Sequence, residues 1–262
     1  MSVPLLHVDS FASEPFRGNP AAVCLLPAPR EPAWMQALAA ELNLPATAFV
    51  SPAADGYGLR WFTALGELTL CGHGTLASAH ALWETGRLAA GAAARFTTPA
   101  GALSAVRSGG WIEMDFPAEP PAEAKVPPGL AEALGAKPRW AGRNRHDVLV
   151  ELDGEAAVRE LAPNFRALRE IETRGIIVTA PATSAGADFV SRFFAPRLGI
   201  REDAVTGSAH CCLGPFWTGR LSRASLVGRQ LSARGGVVRV TVAGERVGLA
   251  GQAVTVARGE LA

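Results

Sequence analysis

Apolar and polar positions alternate through Leu5-Leu6-His7-Val8-Asp9-Ser10-Phe11, the mark of a strand with one buried face. Gly18-Asn19-Pro20 then turns the chain into a second strand at 21–26. From residue 32 to 42 the period lengthens to that of a helix, with Trp34, Leu38 and Leu42 on one side. Strands are predicted at 46–50, 59–63 and 67–70, followed by a helix over 74–85. A meander at 94–97, 103–107 and 111–116 completes a first strand-rich unit. Residues 117–128 are rich in Pro, Ala and Glu without periodicity and read as a linker. Beyond it come a short helix at 130–134, a strand at 147–152, a helix at 156–161 and an apolar strand at 175–179.

This pattern contains a repeat. Arg60-Trp61-Phe62 precedes Leu70-Cys71-Gly72-His73-Gly74-Thr75, and Arg192-Phe193-Phe194 precedes the run from Glu202 to His210. Trp83-Glu84-Thr85-Gly86-Arg87-Leu88 follows the first run, and Trp217-Thr218-Gly219-Arg220-Leu221 follows the second. Strand-like pieces with glycine turns, 96–101 and 231–236, come next in each copy. The shared order implies two copies of one unit, a period too long for a solenoid. Each copy carries an extended segment that turns through a glycine into a helix. Such a turn aims backbone N–H groups and the positive end of the helix dipole outward, as an anion site does. The expected fold is α+β: two pseudo-symmetric lobes, each a curled mixed sheet around a central helix. The lobes are expected at 1–117, with a returning strand in 248–262, and at 118–247. The last strand, near 253–257, is expected to cross back to the first lobe.

The remaining composition narrows the class. The chain has 262 residues, 48% of them hydrophobic, and a formal charge of +1. That is enough for a large core, and it gives no electrostatic support for nucleic acid or a membrane surface as partner. No apolar run is long enough to span a bilayer, and the first residues lack a basic stretch followed by an apolar one; the expected location is the cytoplasm. The four cysteines are Cys24, Cys71, Cys211 and Cys212, and their spacing fits neither a zinc site nor a redox pair. No phosphate-loop pattern occurs, so no metal, nucleotide or other cofactor is expected.

Phe16-Arg17-Gly18-Asn19-Pro20-Ala21-Ala22-Val23, Arg60-Trp61-Phe62-Thr63, Leu70-Cys71-Gly72-His73, the run from Asp203 to His210, and Arg234-Gly235-Gly236 resemble the signature blocks of the phenazine-biosynthesis PhzF-like family. The resemblance runs almost end to end. It implies the diaminopimelate-epimerase-like fold, a homodimer, and cofactor-free isomerisation of a small carboxylate by proton transfer. It also implies an acidic residue before a Thr-Ala-Phe block, where the family carries its principal acid/base. Here the block reads Pro45-Ala46-Thr47-Ala48-Phe49, and Ala46 cannot move a proton. General acid–base catalysis is worth roughly two to four orders of magnitude, so the loss is large unless another group replaces it.

Several readings stay open. His73 or Asp203 could serve as a different proton carrier, or the scaffold could bind a carboxylate without the family reaction, or position 46 could be an engineered substitution. Proline racemases and diaminopimelate epimerase share the implied fold and use one thiol from each lobe. Cys71-Gly72-His73-Gly74 fits the first half of that pattern, but Thr206 stands where the second thiol belongs. A single thiol, Cys71, would still suffice for a reaction that deprotonates one face of a carbon. The expected catalytic positions are therefore His73, Asp203 and Ala46, and the expected substrate-binding positions are Gly72, Gly207, Ser208 and Asn19. Gly72, His73, Asp203, Gly207 and Ser208 are expected to line a carboxylate pocket between the lobes. Against these stand plainer roles: a capping histidine at 73, a carboxylate supporting a helix end at 203, a turn residue at Asn19. Glu67 reads as a solvated strand residue and His210 as a core residue.

Overall fold

The structure, a computed structural model, describes residues 2–261; Met1 and Ala262, the outermost residues of the expected first lobe, lie outside the described residues. The chain divides into two compact units, Met1–Asp115 with Ala250–Ala262, and Phe116–Leu249.

In the first unit the elements run β1 (Val3–Ser10), β2 (Asn19–Leu25), α1 (Pro32–Leu42), β3 (Ala46–Ala53), β4 (Gly56–Thr63), β5 (Gly66–Leu68), α2 (Gly72–Glu84), β6 (Ala94–Thr98), β7 (Gly101–Ser108) and β8 (Trp111–Pro117). In the second they run β9 (Ala122–Glu123), α3 (Leu130–Leu134), β10 (Trp140–Arg143), β11 (Asp147–Glu151), α4 (Glu155–Arg159), α5 (Phe165–Arg169), β12 (Gly175–Pro181), β13 (Phe189–Ala195), β14 (Ile200–Asp203), α6 (Gly207–Leu221), β15 (Ser225–Gln230), β16 (Gly236–Ala243) and β17 (Arg246–Gly251). The last strand, β18 (Ala253–Leu261), belongs to the first unit and pairs antiparallel with β1, from Val3↔Leu261 to Ser10↔Ala253.

The two sheets are built in the same succession. In the first, β1–β2 is antiparallel, β2–β3 parallel, β3–β4 antiparallel and β4–β6 parallel, with β5 folded onto β4. In the second, β10–β11, β11–β12, β12–β13 and β13–β15 repeat that order, with β14 folded onto β13. Both are mixed sheets, and the fold is α+β. The segment read as a linker is partly structured: β9 pairs with β10, so it is an edge of the second unit.

Period-two alternation divides each sheet into two faces. In the first unit Phe49 and Phe62 face α1, where they join Cys24, Met35 and Ala39 in one cluster. Ala48 and its cross-strand partner Trp61 point to the opposite face, and α2 lies there. The small residues of α2 let it sit close to the strands: Gly74 to Ala79 are all buried. A Cβ on Gly74 would fall 2.7 Å from Trp61 Cδ1, so this contact demands glycine. In the second unit α3, α4 and α5 cover Val148, Val150, Ile176, Val178 and Phe194. There α6 is the buried helix. Pro215 inside it has no N–H, and the carbonyl it leaves unbonded, that of Cys211, accepts from the Glu119 amide at 3.0 Å.

Candidate active site

Each buried helix begins just after a residue with extended backbone that lies three positions beyond the end of a strand. For α2 that residue is Cys71 (φ −146°, ψ 101°), and for α6 it is Thr206 (φ −115°, ψ 103°). Neither N-cap residue, Cys71 or Thr206, makes a cap bond with its own side chain, and the helix dipole favours an anion at such an end. Behind each end stands the same brace. Arg60 grips Glu67 through two bonds of 2.7 Å, and Arg192 grips Glu202 through bonds of 2.7 and 2.9 Å. Each guanidinium also covers the phenylalanine two residues on, Phe62 at 5.3 Å and Phe194 at 5.0 Å. Glu67 is thus half of an ion pair that ties β4 to β5.

At the α2 end, Cys71 Sγ lies 3.5 Å from His73 Nδ1 and 3.8 Å from Nε2. The thiol is buried and the imidazole half-buried. Ser10 Oγ donates to the His73 carbonyl at 2.8 Å, which fixes the first helical turn to β1. Asn19 faces Ser10 across the β1–β2 ladder and is fully buried, so the strands bring it to the same corner. Gly18 before it has φ 65°, and a Cβ there would sit 2.1 Å from Ser10 O; only glycine fits.

At the α6 end, Asp203 Oδ2 accepts from Thr206 Oγ1 at 2.5 Å. Gln230, buried at the end of β15, holds this turn from behind: its Oε1 accepts from the Thr206 amide at 2.9 Å, and its Nε2 donates to Asp203 O at 2.8 Å and Thr206 Oγ1 at 3.2 Å. Ser208 Oγ accepts from Arg174 Nη2 at 3.1 Å. Arg174 in turn forks onto Asp147, with Nε 2.8 Å from Oδ1 and Nη2 on Oδ2. His210 is fully buried, as its place in the helix suggests, and its Nδ1 bonds Thr206 O at 2.8 Å.

The ladder registers place Ala46. Thr47 pairs with Phe62 and Ala48 with Trp61; Ile176 pairs with Phe194 and Ile177 with Phe193. Ala46 therefore corresponds to Gly175 in the second unit. Ala46 is fully buried, and a Cβ on Gly175 would meet the Phe193 ring at 2.2 Å and Asp147 Oδ1 at 3.0 Å. Neither position carries a proton donor or acceptor.

The sequence pattern gives no sign of Gln230, Arg174 or Asp147. Gln230 is bonded to residues 24 and 27 positions away, and Arg174 to residues 27 and 34 away, separations that no local periodicity records.

Residues 8–259 match the family model described as phenazine biosynthesis-like protein. The chain belongs to this family. It is 51% identical over 262 residues to an uncharacterized isomerase of Halalkalibacterium halodurans, covering 100% of this chain and 99% of that one. A crystal structure of a PhzF-family phenazine biosynthesis protein from Enterococcus faecalis superposes with a TM-score of 0.96 at 40% identity, covering 100% of both chains. A probable proline racemase from Agrobacterium radiobacter, 13% identical, shares the fold with a TM-score of 0.66 over 99% of this chain and 93% of that one. Family, fold and isomerase kinship thus agree. No helix among the described residues is long and apolar enough to cross a membrane.

Proposed function

We propose that this family member is a cofactor-independent isomerase of a small carboxylate, and that Cys71 with His73 moves the proton in place of the carboxylate missing at Ala46. The observation that carries this reading is the 3.5 Å approach of Cys71 Sγ to His73 Nδ1 at the N-terminus of α2. A thiol in contact with an imidazole at a helix N-terminus can pass a proton to the ring and take it back, the requirement for a group that both removes and returns a proton. An isomerisation needs no second base. The pair removes a proton from the carbon next to an unsaturated centre, the electrons delocalise, and the pair, after exchanging its proton with solvent, delivers one to a more distant carbon on the same face. Backbone dipoles at the helix end offset the developing negative charge. Asp203 has a different part in this reading: engaged by Thr206, it shapes the α6 end, where Gly207 and Ser208 hold a carboxylate.

A second reading, a carboxylate-binding protein without turnover, draws on the burial of Ala46 and the lack of any proton carrier at that position. Exchange in heavy water separates the two. The protein should wash deuterium into its substrate among a panel of unsaturated amino-carboxylates, and Cys71→Ser and His73→Ala should each lower the rate at least a hundredfold. Exchange that ignores both substitutions sinks the Cys71–His73 reading, and no exchange across the panel favours the binding protein. Ala46→Glu should raise turnover of a dihydroxylated anthranilate-like substrate, provided the wild-type protein turns it over slowly; rapid native turnover would show that residue 46 is not a gap.

A further inference from the structure

The second unit holds a groove of about 570 Å³ between the turn at 143–146, the segment 172–174 and the 3-10 turn Pro196–Leu198. Its lining is cationic: Arg143, Arg145, Arg174 and Arg197 with His146, against one carboxylate, Glu172. Two of the arginines are already paired, Arg145 with Glu119 and Arg174 with Asp147. Arg143 donates only to the Glu172 carbonyl, and Arg197 has no acidic partner within ion-pair distance among the described residues. Arg143 and Arg197 therefore bring two guanidinium charges to this groove against the one carboxylate of Glu172.

The groove is braced before any ligand arrives. Asn144 Oδ1 accepts from the amides of His146 and Asp147 at 2.8 and 2.7 Å, which sets the shape of the first wall. The Arg174 amide donates to His146 O at 3.1 Å, which ties the second wall to the first. Arg174 reaches from this lining to Ser208 Oγ at the start of α6, so groove and helix end adjoin through one side chain.

We propose that the groove is an anion site that takes a phosphate or carboxylate group. Planar guanidinium groups on two walls match the oxygens of such a group with paired hydrogen bonds. The volume lies in the range of small-molecule pockets. Resting on the carboxylate reading of the α6 end, the shared Arg174 makes the substrate a dianion, with one carboxylate at Ser208 and the second anionic group in the groove.

Calorimetry on the full chain with three probes tests this: inorganic phosphate, succinate and propionate. Phosphate should bind to the wild-type protein, weaken as salt is raised, and bind at least tenfold more weakly to the double variant Arg143→Gln/Arg197→Gln. Both side chains are exposed, and an unchanged melting temperature confirms that the variant is folded. Absent phosphate binding, or binding indifferent to the two substitutions, overturns the groove. Succinate should exceed propionate at least tenfold in the wild-type protein and lose that advantage in the double variant; equal affinities overturn the dianion. Propionate should respond to Ser208→Ala and not to the arginines. If propionate fails to bind while phosphate binding still depends on the arginines, the carboxylate reading of α6 falls and the groove stands.

Discussion

His210 is a neutral imidazole sealed inside the second unit, and its chemistry follows from that burial. A carbonyl can only accept, so the bond to Thr206 O puts the proton on Nδ1. Nε2 is buried with no partner among the described residues, next to the Phe189 ring and the bare Cα of Gly228. Desolvation pushes the pKa down from 6.5 to about 4. The unfolded chain therefore takes up this proton first as pH falls, and stability is lost between pH 6.5 and 4. The full effect is about 3 kcal/mol. Urea unfolding at pH 7 and pH 4.5 should show this loss in the wild-type protein. His210→Thr should lower stability at pH 7 yet flatten the slope. Threonine is the apt replacement because Thr75 holds the matching place in α2 and donates to Cys71 O at 2.7 Å. Single residues stand out in the sequence where a polar side chain and a glycine coincide, as at Gly72-His73 and Gly207-Ser208, which open α2 and α6. They are silent where a lone polar side chain acts across the fold, as Gln230 does.

Among elements, the pair of helix ends depends on strands that are distant in sequence. Arg174 and Asp147 stand just before β12 and at the start of β11, and their pairing sets the floor under Ser208. Asp147 has no exposed side-chain surface, and Arg174 is 34% exposed. Asp147→Asn should cost about 3 kcal/mol, because removing one partner strands a largely desolvated charge; thermal denaturation reads the loss directly. Gln230→Leu should leave the strand buried but free Thr206 and Asp203, weakening propionate binding several-fold by calorimetry with little change at the α2 end. Element boundaries were most legible where period and punctuation agree: α1 spans Pro32–Leu42, with proline opening it and left-handed Asn43 (φ 48°) closing it. For α2 the Gly-His-Gly run reads as turn, yet the helix begins at Gly72, directly after the extended N-cap Cys71. Five-residue α5 has a cap signal, Asn164 Oδ1 accepting from the Ala167 amide at 3.1 Å, but too few residues to reveal a period. Two-residue β9 exists only through its pairing with β10, which composition cannot record.

At the scale of the molecule, the repeat in the sequence is the repeat in the sheets, because strand order and helix placement follow from the same spacing of apolar runs. One piece breaks the symmetry of the chain: β18 supplies the outer partner of β1 from the far end of the sequence. Removing residues 252–262 should expose the β1 edge. Hydrogen exchange should then quicken in β1 and β2 while amides of β11 and β12 keep their protection, since the strands around them are intact. The pairing of β1 with β18 also sets an order of birth. The second unit is one unbroken stretch, Phe116–Leu249, and has all its strands as soon as that stretch leaves the ribosome. The first unit begins emerging earlier but waits for residues 250–261 before its sheet is complete. The half that is synthesised first is finished last, and until then β1 is an open strand edge, the surface on which a nascent chain most needs protection from its neighbours.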